Sequence, residues 1–386
     1  MPAALINGTM LRWARERAGV SIEAVAERLS KSPDDLAAWE RGDAKPTFRQ
    51  AQALASALHV PFGFLFLTEP PAEPRLPDFR RLSGERDTPR FDANTLDLIR
   101  DVLFKHDWYK QILIEEGDEP LGFVGRFGTS DAPSAVADDM RSVLGLMPDH
   151  ARRTKGQQEW LRDAVGAAET ARIWVMKSGV VGNSTRRTLA VAAFRGFAIA
   201  DPIAPLVFVN GNDATAAQIF TFAHELAHIW LGSTGISDVV SGLTRPRGDV
   251  ESFCNQVAAE FLLPSRIVVG EWSDRRSASA NVDALATSWK VSRIVAAKKA
   301  LDLDLIERAA FESIYEQERA RWAALPKNGV GGGNFHATLP VRFGRRFTEE
   351  VVRRAMSGDT LLRDAGALLN TKPRTIVEHF RRASPR

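Results

Sequence analysis

The chain has 386 residues, 44% of them hydrophobic, and a formal net charge of +3, which is enough for two or three domains and a large core. A single cysteine excludes an intramolecular disulfide and suits a reducing cytosol. Residues 1–10 show no charged stretch leading into an apolar core, and no apolar run approaches a membrane span, so a cytoplasmic protein with no membrane partner is expected.

Four short amphipathic segments with tight connections open the chain: residues 11–19, 21–29, 32–39 and 47–58. Their succession outlines a helix-turn-helix domain over residues 1–67. Leu36, Trp39-Glu40-Arg41-Gly42, Lys45-Pro46-Thr47, Leu54-Ala55 and Val60-Pro61 make this region resemble the XRE (Cro/repressor-like) family. The resemblance implies a DNA-reading third helix and a structural ion pair between Arg15 and Glu40. The candidate DNA contacts are Lys31, Ser32, Arg41 and Lys45. Charge argues against them: residues 1–67 hold eight Lys/Arg against seven Asp/Glu, and Asp34 and Asp35 open the reading helix, where they repel phosphate. Ser32-x-x-Asp35 fits a capping box, which accounts for Asp35 but not Asp34. An acidic side chain also accepts from a cytosine amino group, so both DNA reading and a protein-docking or homodimer role stay open.

Residues 68–90 are proline-rich and read as an interdomain linker. Residues 91–166 have helical patterning, for example 96–110 and 135–144, with no recognisable chemistry. Three short apolar runs, 172–177, 194–200 and 205–210, are bounded by Gly, Pro, Asn and Asp and predict strands. An extended substrate would add as a strand if the edge of that sheet borders a cleft.

Residues 214–231 contain neither Pro nor Gly and are apolar almost all round, so they predict a buried helix, with Asn212-Asp213 as its cap and Gly232 as its left-handed stop. Within it lies His224-Glu225-Leu226-Ala227-His228. Positions i and i+4 share a face, so both imidazoles can reach one Zn²⁺ and Glu225 can serve as general base on water. A third ligand is expected from the helix at 249–263, capped by Asp249 and stopped by Pro264. Glu251 and Glu260 stand nine positions apart, hence on opposite faces. Glu251 is preferred because Asn255, one turn on, can hydrogen-bond a ligand. Glu260 is then solvated or ion-paired, and as a ligand remains the alternative.

His224-Glu225-Leu226-Ala227-His228 followed by Glu251-x-x-Cys254-Asn255-x-x-Ala258-Ala259-Glu260-x-Leu262-Leu263-Pro264 resembles the ImmA/IrrE-type zinc metallopeptidases. Upstream, Arg195-Gly196-Phe197 and residues 205–210 agree with that resemblance, and Phe64 to Leu67, Pro70-Pro71 and Leu76 to Arg80 resemble the fused XRE/ImmA proteins. It implies a zincin-like domain with one zinc per chain, His224, His228 and Glu251 as ligands and Glu225 as base. Relatives carry Ala where this chain has Cys254, which reads as a small core residue. The implied substrate is a specific protein, often a DNA-binding repressor, cleaved under stress.

Residues 282–305 repeat helix, Val-Ser turn and helix, and 307–325 form another long helix. After a Gly-rich run, residues 341–386 hold eleven Lys/Arg against five Asp/Glu, net +6. Segments 347–355, 360–369 and 375–382 are expected to form a helical unit, either a second helix-turn-helix that contacts phosphate or a solvated basic surface. His336 has no metal spacing.

The expected class is α+β and mostly α: a helix-turn-helix domain (1–67), a linker (68–90), a zincin-like metallopeptidase domain with a small sheet and helical flanks (91–327), and a basic helical tail (328–386). Two functions are open: a transcription regulator bearing a zinc endopeptidase, and a DNA-binding repressor or antitoxin-like protein whose zinc is structural or sensory. Tyr109 and Tyr315 lie outside the motif region, so no oxyanion donor is evident.

Overall fold

The computed structural model describes residues 3–58, 60–71, 92–192, 194–237, 248–324 and 335–383. Most of the Pro-rich and Gly-rich segments lies outside them. Among the described residues, 3–71 with 92–100 form one compact unit and 101–383 another. Residues 93–100 therefore group with the N-terminal helices, whereas the tail at 335–383 groups with the helices that carry His224, His228 and Glu251.

Side-chain caps set the starts of the N-terminal helices α1 (Gly8–Arg17), α2 (Ile22–Arg28), α3 (Pro33–Arg41) and α4 (Phe48–Ala57). Asn7, Ser21, Ser32 and Thr47 each accept from a backbone N–H of the first turn, and Ser32/Asp35 and Thr47/Gln50 close full capping boxes. Leu11, Ala14, Val25, Leu36, Trp39, Ala51, Leu54 and Leu65 fill the core, Leu65 arriving on a short 3-10 helix (Phe62–Phe66). Arg15 grips Glu40 with two hydrogen bonds, Nε to Oε1 at 2.6 Å and Nη2 to Oε2 at 3.0 Å, as the XRE resemblance implied.

The second unit contains α5 from residue 101 on (helix Ala93–Glu115), α6 (Pro133–Leu144), α7 (His150–Arg153), α8 (Gln157–Thr170), β1 (Trp174–Ser178), β2 (Gly196–Ile199) and β3 (Leu206–Asn210). There follow α9 (Thr215–Trp230), β4 (Gly235–Ser237), α10 (Gly248–Leu262), α11 (Ser265–Glu271), α12 (Ala278–Trp289), α13 (Arg293–Asp302) and α14 (Arg308–Ala324). The three expected strands are present, each starting one or two residues later than its apolar run. They assemble in the order β1-β3-β2-β4, with β1 parallel to β3 and the other pairs antiparallel. Helix α9 packs on β2 and β3, and α10 packs on α9 and α6. Sheet on one side and helices on the other explain why every residue from Gln218 to Trp230 is buried.

Two expected caps are corrected. Helix α9 starts after Ala214 with no side-chain cap, because Asp213 pairs with Arg195 and Asn212 Nδ2 donates to the carbonyls of Gly179 and Leu189. Helix α10 starts at Gly248, which puts Asp249 inside its first turn.

The tail forms α15 (Phe335–Phe343), α16 (Arg345–Ser357), α17 (Leu362–Leu368) and α18 (Pro373–Ala383). It is docked on β1: Trp174 stacks on Phe347 with ring centroids 4.4 Å apart, and its Nε1 donates to Phe343 O at 2.6 Å. The Glu169 carboxylate accepts from the Arg345 backbone N–H. No helix of the described residues is long and apolar enough to cross a membrane.

Candidate metal centre

The uninterrupted run on α9 brings His224 and His228 one turn apart, with Nε2 atoms 3.0 Å from each other. Helix α10 supplies Glu251, whose Oε2 lies 3.2 Å from His224 Nε2 and whose Oε1 lies 3.3 Å from His228 Nε2. Each residue offers a ligand atom within 4.8 Å of the others, the one such group found among the described residues. Both histidines are fully buried, while the Glu251 side chain is 14% exposed.

His224 Nδ1 lies 3.0 Å from Asn255 Oδ1. An amide oxygen only accepts, so Nδ1 carries the proton and Nε2 turns its lone pair to the centre. Three convergent donors 3.0 to 3.3 Å apart lie near the ~3.4 Å edge of a tetrahedron around a cation ~2.1 Å from each. The residues therefore fit a divalent metal ion. Burial pushes the His228 imidazole below its ordinary pKa, favouring the neutral form that ligation needs.

Glu225 is buried against β2. A Cβ added to Gly196 would stand 2.6 Å from Thr221 Cγ2, 2.8 Å from Phe208 O and 3.0 Å from Glu225 Oε1, so only a glycine lets the strand pass this close to the helix. Glu260, the alternative ligand, is turned away: its carboxylate pairs with Lys299 and accepts from Ser265 Oγ at 2.6 Å. At 7% exposure it is ion-paired and not solvated. Burial, then the charges of Glu251 and Glu225, push the Cys254 thiol well above its ordinary pKa, which makes it an inert core residue.

A cleft of about 360 Å³ runs along the first turns of α9, lined by Arg195, Phe220, Thr221, Val291, Val295 and Tyr315 among others. Thr221 lies one turn before Glu225, but the cleft lining includes none of His224, Glu225, His228 or Glu251. Tyr315 reaches it from α14, which no spacing in the sequence foretells. Tyr109 instead packs against Trp174 and Phe347 in the core.

Residues 169–301 match the family model of the IrrE N-terminal-like domain, and residues 11–65 match a helix-turn-helix model. The chain joins a helix-turn-helix to an IrrE N-terminal-like domain. A third match, over residues 343–382, is to a domain of unknown function, and no curated protein matches the chain. The IrrE N-terminal-like domain contains His224, Glu225, His228, Glu251 and Asn255. In the helix-turn-helix, Ser32 is engaged as the cap of α3, Arg41 Nε reaches Asp43 Oδ2 at 2.7 Å and Lys45 Nζ donates to Ile6 O at 3.4 Å. Lys31 is exposed.

Proposed function

We propose that this protein is a cytoplasmic, DNA-binding regulator whose IrrE N-terminal-like domain is a zinc-dependent endopeptidase acting on a specific partner protein, such as a repressor in a stress response. The observation that carries the proposal is the convergence of His224, His228 and Glu251 with Glu225 next to the first ligand. Zinc held there supplies a Lewis acid that brings the pKa of a water to ~7 and polarises a carbonyl. Glu225 takes the proton from the attacking water and returns it to the departing amine. Asn255 keeps His224 in the ligating tautomer. The apolar residues around α9 exclude bulk water, which strengthens each of these interactions. An extended polypeptide finds backbone partners along β4, which ends the described sheet.

Complete burial of His224, Glu225 and His228 favours a second reading, a DNA-binding repressor whose zinc is structural or sensory. Glu225→Gln separates the two. The endopeptidase reading expects one zinc per chain retained, the partner protein captured uncleaved, and target-gene control lost. Unchanged control in that variant would overturn it. His224→Ala is expected to lose the zinc, as measured by elemental analysis.

A further inference from the structure

Residues 343–382 match a domain without an assigned function, and the peptidase reading makes no use of them. Helices α17 and α18 are joined by the turn 369–372, in which Asn370 takes the left-handed conformation with φ 48°. A Cβ on Gly366 would stand 2.7 Å from Thr371 O, so α17 runs against the backbone of this turn and tolerates no side chain there. Ala365, Leu368, Leu369 and Ile376 are buried, and α16 packs on both helices. Two short helices, a tight turn and a third supporting helix are the elements of a helix-turn-helix, whose second helix enters a major groove.

The outward side of α18 is basic. At 100° per residue, Arg374, Glu378, Arg381 and Arg382 fall within an arc of about 100°, and Lys372 immediately precedes the helix. Lys372, Arg374, Arg381 and Arg382 are all exposed. Glu378 is matched by Arg374 at 2.8 Å, while no ion pair among the described residues engages Lys372, Arg381 or Arg382. The corresponding helix of the N-terminal module differs: α3 exposes Asp34 and Asp35, and its Arg41 is paired with Asp43.

We propose that residues 362–383 are a second helix-turn-helix, and that α18 docks in the major groove of duplex DNA with Lys372, Arg374, Arg381 and Arg382 on phosphates and base edges. Duplex DNA is the occupant because the motif presents a helix of groove-filling width and the face is complementary in charge to phosphate. The tail thus supplies the electrostatic grip that the nearly neutral N-terminal module lacks.

The test is fluorescence anisotropy of the full chain on a mixed-sequence duplex across a salt series. The triple variant Lys372→Ala/Arg381→Ala/Arg382→Ala should bind at least ~10-fold more weakly, and its log–log salt slope should fall by ~2.7, at ~0.9 per lost phosphate contact. All three positions are exposed, and an unchanged melting temperature checks that the variant folds. Lys31→Ala/Arg41→Ala/Lys45→Ala should lower the slope by less. Wild-type affinity and slope in the tail variant would overturn the proposal. So would tighter binding of single-stranded RNA than of duplex, or no duplex binding by the wild type at low salt. Binding is read without cleavage, so the result stands apart from the peptidase reading.

Discussion

At the residue scale, two glutamates on one helix have opposite fates. Glu251 faces two imidazoles, while Glu260 faces Lys299 and Ser265. Asn255→Ala frees the His224 tautomer and is expected to weaken metal affinity ~10–100-fold, measured by competition with a chelator; unchanged affinity would remove Asn255 from the site. Glu260→Ala leaves the Lys299 ammonium buried without its partner and should cost on the order of 3 kcal/mol, and on the proposed zinc reading the metal stoichiometry stays the same. Burial alone would raise Glu260, but its bonds to Lys299 and Ser265 bring it below the ordinary carboxylate range. The folded protein therefore takes up this proton less readily than the unfolded chain. The pair's stabilisation is present above the ordinary carboxylate range and is lost as pH falls through it. Denaturant midpoints of wild type and Glu260→Gln should converge in acid.

At the element scale, β2 and α9 approach each other at Gly196, where the space for a methyl group is already filled by Thr221 and the Phe208 carbonyl. Gly196→Ala is expected to cost about 1–3 kcal/mol by overpacking and to displace Glu225, so that on the proposed endopeptidase reading cleavage falls while the metal stays bound. A variant of wild-type stability would show that the strand has room to move. The capping box of α3 was legible from Ser32-x-x-Asp35, because a cap is a contact across three residues, whereas Thr47 was expected within its helical segment and instead caps it with Gln50. The start of α9 was not legible, since Arg195 and the carbonyls of Gly179 and Leu189 compete for Asp213 and Asn212 from far along the chain.

At the scale of the second unit, the tail is a packing element as well as a basic surface. Trp174, Tyr109 and Phe347 form an aromatic cluster that ties α5, β1 and α16 together. Burial raises the Tyr109 phenol from 10.0 to about 12. Between those values the folded protein keeps a proton that the unfolded chain releases, so stability falls as pH rises through the window. Tyr109→Phe should flatten that slope in denaturant titrations; an identical slope would mean that the phenol does not sense its burial. Deleting residues 335–383 should lower the melting temperature of the metal domain by exposing Trp174, although no metal ligand is removed.

What the sequence determined by itself is whatever lies within a turn or two of helix. The i, i+4 histidines, the opposite faces of Glu251 and Glu260 and the helical tail segments follow from a 100° repeat and local capping, whereas the contact of Asn255 with His224 on another helix does not. Tertiary structure alone decided the rest: the four-stranded order, the glycine window at Gly196, Tyr315 in the cleft and the docking of the tail on β1. These join residues distant in the chain, and such contacts depend on the shape and volume of the partner surface, which no local periodicity encodes.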